Sequence, residues 1–230
     1  MHDTGMRHIV FIGPQGAGKG TQAARVAPLF NLLHLATGDL FRALMAGQSD
    51  LSAEVRAFYD RGELVPDALT ARVLFAALDE RAAAGAVRGA LIDGFPRNAT
   101  QAEVLDEQIA ARGEDLAAVV HIAVARDVLM RRLTGRLVCR ECGASYHREF
   151  NPPRVPGVCD LDGGELYVRS DDTEDAVARR LDIYFAQTEP LLDRWRERGV
   201  VLDVNGDQPI DAVTAEIASA IEPVLGPADR

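Results

Sequence analysis

Apolar positions along this chain change period repeatedly. RHIVFI at 7–12 is a short β-branched run that stops at Gly13, as a strand buried on both faces does, and from Gln22 to Phe30 the apolar residues recur at helical spacing. Further buried-strand runs lie at 90–92 (ALI), 119–124 (VVHIAV) and 200–204 (VVLDV). Helical spacing returns over 67–84, 100–112, 128–133, 173–198 and 211–225. Strands separated by helices predict βαβ units, hence a parallel sheet covered on both faces.

Two segments interrupt the alternation. Residues 37–65 carry two short helical patterns, GDLFRALMAG and SAEVRAFYDRG, where another strand could have come. Residues 135–172 are rich in Gly, Pro, Cys and polar side chains and show no helical period. A loop of that length inside a compact domain is functional or independently stabilised, so both segments read as insertions over the sheet. The expected division is a core of 1–36, 66–134 and 173–230, a helical insertion at 37–65 and a second insertion at 135–172.

Composition narrows the partners. At 230 residues, 47% hydrophobic and 26% charged, the chain has the make-up of an ordinary globular protein. A net charge of -10 argues against nucleic acid or an anionic membrane as partner, because either needs a broad basic face. Lacking both an apolar N-terminal core and a run of membrane-spanning length, the chain reads as cytoplasmic.

Its basic residues are unusual in one respect. Lys19 is the only lysine; every other member of the Lys+Arg total of 25 is arginine. Lys19 lies in GPQGAGKGT (13–21), which fits G-x-x-x-x-G-K after one predicted strand and before one predicted helix. Gly16, Ala17 and Gly18 turn backbone N–H groups toward phosphate oxygens, and the helix start at Gly18–Thr21 adds its positive dipole end. Such a loop admits a compact charge on a thin stem better than a planar guanidinium. The alternative is a glycine-rich turn with no ligand. Gly20 occupies the place after the lysine where a Mg²⁺-binding hydroxyl usually stands, and Thr21 follows one residue later.

A second signature, LIDGFPR at 91–97, ends an apolar strand on Asp93 at the sheet edge that carries the first. A carboxylate there can hold waters of Mg²⁺, and Arg97 can grip a second phosphate; a plain strand-ending turn is the bland alternative. With GKGT, TGDLFR (37–42), DGFPRNATQAE (93–103), RRLTGR (131–136), YHREFNPP (146–153) and RSDDTEDAVARRL (169–181) in the same order, the chain resembles the adenylate kinase family along almost its whole length.

The resemblance implies an α/β fold of the P-loop NTPase type: a doubly wound, parallel, five-stranded sheet with an AMP-binding helical insertion and a zinc-bearing lid. It implies the reaction MgATP + AMP ⇌ 2 ADP in a monomer, with ATP, AMP and ADP as partners. It places Gly16–Thr21, Arg132, Arg136, Ser145, Tyr146 and Gln208 about ATP. It places Thr37, Gly38, Arg42, Glu63, Leu64, Val65, Gly94, Phe95, Arg97, Gln101, Arg169 and Arg180 about AMP. Lys19, Asp93, Arg97, Arg132, Arg136, Arg169 and Arg180 would carry the chemistry, with Gln101 reading the adenine edge of AMP. Any one of these arginines taken alone fits a solvated helix face equally well. Asp171 and Asp172 read as helix-capping acids that also pair with the arginines and set the closed position of the lid.

Departures are visible: Gln15 stands where many members have proline, and Asn98 is closer to the uridylate/cytidylate branch. Gln101 and the long insertion after Arg136 favour the adenylate branch. The remaining alternatives are a UMP/CMP or GTP:AMP kinase, a P-loop switch without transfer, and a zinc-ribbon nucleic-acid binder.

All three cysteines lie within 139–159. Cys139-x-x-Cys142 and Cys159-x-x-Asp162 are equally spaced turns, each able to present two ligands, and Cys₃Asp is a closed tetrahedral set suited to structural Zn²⁺. Asp160 is the neighbouring acid, but the spacing favours Asp162. Three buried thiols, or one disulfide with a cysteine left over, are the competing arrangements; the resemblance supports zinc.

Overall fold

The computed structural model describes residues 5–60, 65–168 and 172–225. Five parallel strands form the main sheet: β1 (Arg7–Ile12), β2 (Leu32–Ala36), β3 (Gly89–Asp93), β4 (Asp115–Ala123) and β8 (Val201–Asn205), in the order β2-β3-β1-β4-β8. The helices are α1 (Lys19–Leu29), α2 (Thr37–Ala46), α3 (Asp50–Asp60), α4 (Asp67–Ala82), α5 (Ala99–Ala111), α6 (Arg126–Thr134), α7 (Glu174–Ile183), α8 (Leu191–Glu197) and α9 (Ile210–Leu225).

The run in β1 is apolar throughout because both of its faces are covered. Alternate residues point to opposite faces, so Val10 and Ile12 join Leu74 of α4, Leu105 of α5 and Trp195 of α8. Ile9 and Phe11 join Val26 of α1 and Ile217 of α9 on the other side. Two helical layers therefore sandwich the sheet, which is the doubly wound α/β arrangement expected from the sequence.

Three local features differ from the sequence reading. Leu32–Ala36, not among the expected strands, forms one at the sheet edge and pairs with β3. The single helix expected over 173–198 is interrupted, with a π-helical turn at Tyr184–Thr188 between α7 and α8. Pro190 has no N–H to continue the ladder, and Glu189 N–H reaches back five residues to Tyr184 O at 3.0 Å. The segment without helical period holds a small antiparallel sheet of β5 (Arg136–Cys139), β6 (Ser145–His147) and β7 (Leu166–Tyr167), in the order β6-β5-β7.

Candidate active site and candidate metal centre

The loop from Gly13 to Lys19 leaves β1 at the C-terminal edge of the sheet, where α1 begins. Gly16 (φ 86°) and Gly18 (φ 92°) take the left-handed backbone region that glycine permits, which turns the loop on itself. A Cβ on Gly18 would meet no atom within 4 Å, and no side chain caps α1, so the first-turn amides open onto free space. Lys19 Nζ donates to Gly13 O at 2.7 Å and to Pro14 O at 3.1 Å. Burial lowers its pKa first; Asp93 opposes that shift, while Arg97 and Arg136 reinforce it. A polyanion in this position would compensate all three cations at once. Asp93 ends β3 against the same helix turn: a Cβ on Gly20 would lie 3.5 Å from its Oδ2. Thr21 is exposed.

The turn after Asp93 is closely packed. A Cβ on Gly94 would fall 2.7 Å from Thr37 Oγ1 and 3.2 Å from Arg97 Nη2. Thr37, the first residue of α2, donates to Gly94 O at 3.1 Å, and Arg97 Nε donates to the same carbonyl at 2.7 Å. Phe95 is fully buried, so its ring belongs to the core and only its backbone is left to border a ligand. Gln101 Oε1 accepts from Arg97 N at 2.8 Å and its Nε2 donates to Asp67 Oδ1 at 2.7 Å. Asn98 caps α5, accepting from Gln101 N at 2.8 Å, and its Nδ2 also turns to Asp67. Arg42 is exposed, beside Gly38, and pairs with Asp39; Val65 packs half-buried on the main core.

The arginines at and around the second segment come from α6 (Arg132), β5 (Arg136) and α7 (Arg180). Arg132 donates to Gly206 O at 3.0 Å and to Asp207 at 3.1 Å, tying α6 to the loop after β8. Gln208 in that loop donates to Asn205 O at 2.9 Å. A cavity of ≈ 410 Å³ opens beside Pro14, lined in part by His121, Phe185, Asn205 and Asp207. Arg136 holds Asp172 with two hydrogen bonds of 2.8 and 2.6 Å, and Arg180 reaches the same carboxylate at 2.9 Å. Asp172 is fully buried and thus joins the start of β5 to α7. The capping role read for Asp172 falls to Thr173 instead, whose hydroxyl accepts from Ala176 N at 3.4 Å. Glu63, Leu64, Arg169 and Asp171 lie outside the described residues.

Ser145 is exposed on β6, whereas Tyr146 is buried. Its hydroxyl accepts from Asp160 N at 2.8 Å and lies 3.4 Å from Cys159 Sγ. That places the Tyr146 side chain on the cysteine cluster.

The four residues with paired spacing come together, and among the described residues they form the only such group. Their ligand atoms all lie within 4.8 Å of one another. Cys142 and Cys159 Sγ are 3.6 Å apart, and Cys139 Sγ is 3.3 Å from Asp162 Oδ1. A tetrahedral zinc site with Zn–S about 2.3 Å and Zn–O about 2.0 Å needs S–S edges of about 3.8 Å and S–O edges of about 3.5 Å, which these separations approach. The three cysteines are free thiols. The Cys142 thiol is pushed up to about 12, first by its hydrogen bond to Asp162 and with the other two sulfurs contributing. Acidic groups crowded this way fit a divalent cation. Both turns share one backbone geometry: Gly143 N donates to Cys139 O at 3.1 Å and Gly163 N to Cys159 O at 3.0 Å. Asp160 caps a different turn, accepting from Arg154 N.

Two acids take partners that the sequence did not announce. Asp67 receives both Asn98 and Gln101, and Asp207 receives Arg132. Asp67 was legible only as a helix-starting acid after Pro66, and Asp207 only as part of the 205–208 stretch that the resemblance lays along the ATP adenine.

A parallel sheet, a phosphate loop and facing arginines define a P-loop kinase of the α/β class. A family model for adenylate kinase matches residues 11–200. The adenylate kinase of Carboxydothermus hydrogenoformans is 46% identical over 215 residues, 93% of this chain and 99% of that protein. The adenylate kinase of Bacillus subtilis is 46% identical over 210 residues, 91% and 95% of the two chains. This chain belongs to the adenylate kinase family, a family of nucleoside monophosphate kinases.

Proposed function

We propose that the protein catalyses MgATP + AMP ⇌ 2 ADP. The observation that carries this reading is the shared field at the sheet edge, where Lys19 from the loop feels Asp93, Arg97 and Arg136 from three other elements. The attacking oxygen belongs to an AMP phosphate that is already ionised, so no general base is needed. In-line alignment and compensation of charge are the work left to the protein.

In this reading Lys19 and the amides of Gly16–Thr21 hold the donor phosphates, with Arg132 and Arg136 from the lid side. Arg97, Arg169 and Arg180 take the acceptor phosphate, with Arg42, and Thr37 borders it. Gly38, Glu63, Leu64, Val65, Gly94 and the backbone of Phe95 line the AMP pocket, while Ser145, the backbone of Tyr146 and Gln208 lie along ATP. An amide offers two hydrogens and two lone pairs; Gln101 spends one of each on Asp67 and Arg97 N, which leaves one of each for the adenine edge. Asn98 caps α5 and shares Asp67 with Gln101, so the two amides are held by one acid.

Mg²⁺ bound with ATP would supply neutralisation of the phosphate charge, and Asp93, facing the side-chain-free Gly20, is the residue to hold its waters. Cys139, Cys142, Cys159 and Asp162 would hold Zn²⁺ in a structural role, all four positions being taken by protein. The segment 135–172 acts as a lid with hinges near Gly135 and Asp172, excluding water from the donor phosphate. The segment 37–65 carries AMP, and 1–36, 66–134 and 173–230 form the core. No helix among the described residues is long and apolar enough to cross a membrane. Membership of the adenylate kinase family is what supports our assignment of a cytoplasmic monomer.

The test is an ADP-forming assay across a panel of donors and acceptors. ATP with AMP should give the highest kcat/KM, and UMP or CMP should fall well below AMP. A preference for UMP, CMP or GTP, or hydrolysis of ATP without transfer, would overturn the assignment.

A further inference from the structure

His147 closes the join between α6 and β5, and neither the phosphate chemistry nor the metal site uses it. It is 9% exposed. Nδ1 accepts two backbone N–H groups, from Glu149 at 2.9 Å and Phe150 at 3.0 Å. A nitrogen facing two N–H donors carries no proton, so the proton of the neutral ring sits on Nε2. Nε2 lies 3.2 Å from Arg131 O and donates to it. That carbonyl also accepts the Gly135 N–H at 3.2 Å, so the ring adds a second donor at the last turn of α6.

The same ring explains a glycine. A Cβ on Gly135 would lie 2.3 Å from His147 Nε2 and 2.6 Å from Cε1. Gly135 has φ -95° and ψ 0°, a conformation open to any residue, so it is the ring and not the backbone that excludes a side chain there. Arg148 N donates to Gly135 O at 3.0 Å and seals the other side of the join. His147 thus touches the carbonyl of the residue before Arg132, and it pairs across the small sheet with Arg136 itself.

We propose that His147 is a positioning residue for Arg132 and Arg136. By holding helix end, glycine and strand together in this position of the lid, it fixes the spacing at which the two guanidinium groups meet the donor phosphates. The inference rests on the reading of those arginines as ATP-side residues.

The test measures steady-state kinetics with MgATP and AMP varied separately. His147→Asn keeps an acceptor for the Glu149 and Phe150 amides but is too short to reach Arg131 O. It should lower kcat/KM for ATP about tenfold, the scale of one well-formed hydrogen bond, and leave the KM for AMP within about twofold. Gly135→Ala should cost a similar factor with His147 present and nothing further in the His147→Ala background, where the ring is gone. Equal losses for both nucleotides, wild-type values in His147→Asn, or an alanine penalty identical in the two backgrounds would each overturn the proposal. Amide exchange at Gly135 and Arg148 reads the join without nucleotide: it should quicken in His147→Asn, and unchanged exchange would refute the lock. If the wild type does not turn over ATP and AMP while that exchange still quickens, the functional reading fails and the lock stands.

Discussion

Two segments depart from the parallel sheet, and different forces hold them. The helical one, α2 and α3, sends Leu40 and Val55 into the same buried cluster as Val10, Ile12 and Leu74, so it is an extension of the main core. The stranded one, β5 to β7, keeps a cluster of its own whose buried members are Cys139, Tyr146, Cys159 and Leu166. Meanwhile it leaves Phe150, Val155 and Leu161 exposed at 56, 57 and 78%. Half of its buried cluster consists of candidate metal ligands, so the proposed cation would supply what apolar area does not.

The comparison breaks most readily at the cysteines. Cys159→Ser should release the metal and with it a binding free energy of about 10–16 kcal/mol, the scale of structural zinc sites. Elemental analysis should fall from one Zn²⁺ per chain to none, and amide protection should vanish across β5–β7 while persisting in β1 and β4. Full protection of the small sheet without metal would show that packing alone holds it.

Leu40→Ala is the converse test. Because Leu40 belongs to the shared cluster, truncation should lower global stability by about 2–5 kcal/mol in urea unfolding, with zinc content unchanged. A loss confined to α2 would separate the helical segment from the core after all.

The mildest test uses pH at the opposite end of the sheet. His8 is buried, hydrogen-bonded to Glu114 at 2.8 Å, and its Nδ1 accepts from Ala90 N. Burial lowers its pKa from 6.5, with Glu114 opposing the shift. The unfolded chain therefore takes up this proton first as acid is added. The contribution of His8 is complete above 6.5 and is lost as pH falls through the lower folded value. Urea midpoints at about pH 7.5 and about pH 5.5 should differ in that direction, and less so in His8→Gln, while metal content stays constant at both.

What could be read from the chain follows the same division. Continuous apolar runs announce β1, β3 and β4 because those inner strands are covered on both sides; of the two edge strands, β8 shows its VVLDV run while β2, half-buried and directly after α1, was not separated from the helical pattern before it. The grouping of Cys139, Cys142, Cys159 and Asp162 was legible because two turns repeat at the same spacing. Asp67, Asp207 and His147 were not, because each acts on a residue distant in sequence or on a backbone carbonyl, and only the folded chain brings those partners within reach.

In the proposed reaction Lys19, the one lysine among arginines, would seat the transferred phosphate. The direct measurement is ADP formation from MgATP and AMP by the wild type and Lys19→Arg, with thermal unfolding of both. The account predicts two ADP per turnover for the wild type. For Lys19→Arg it predicts a loss of kcat of about a hundredfold or more at an unchanged thermal midpoint. A Lys19→Arg enzyme that retains wild-type turnover would contradict it.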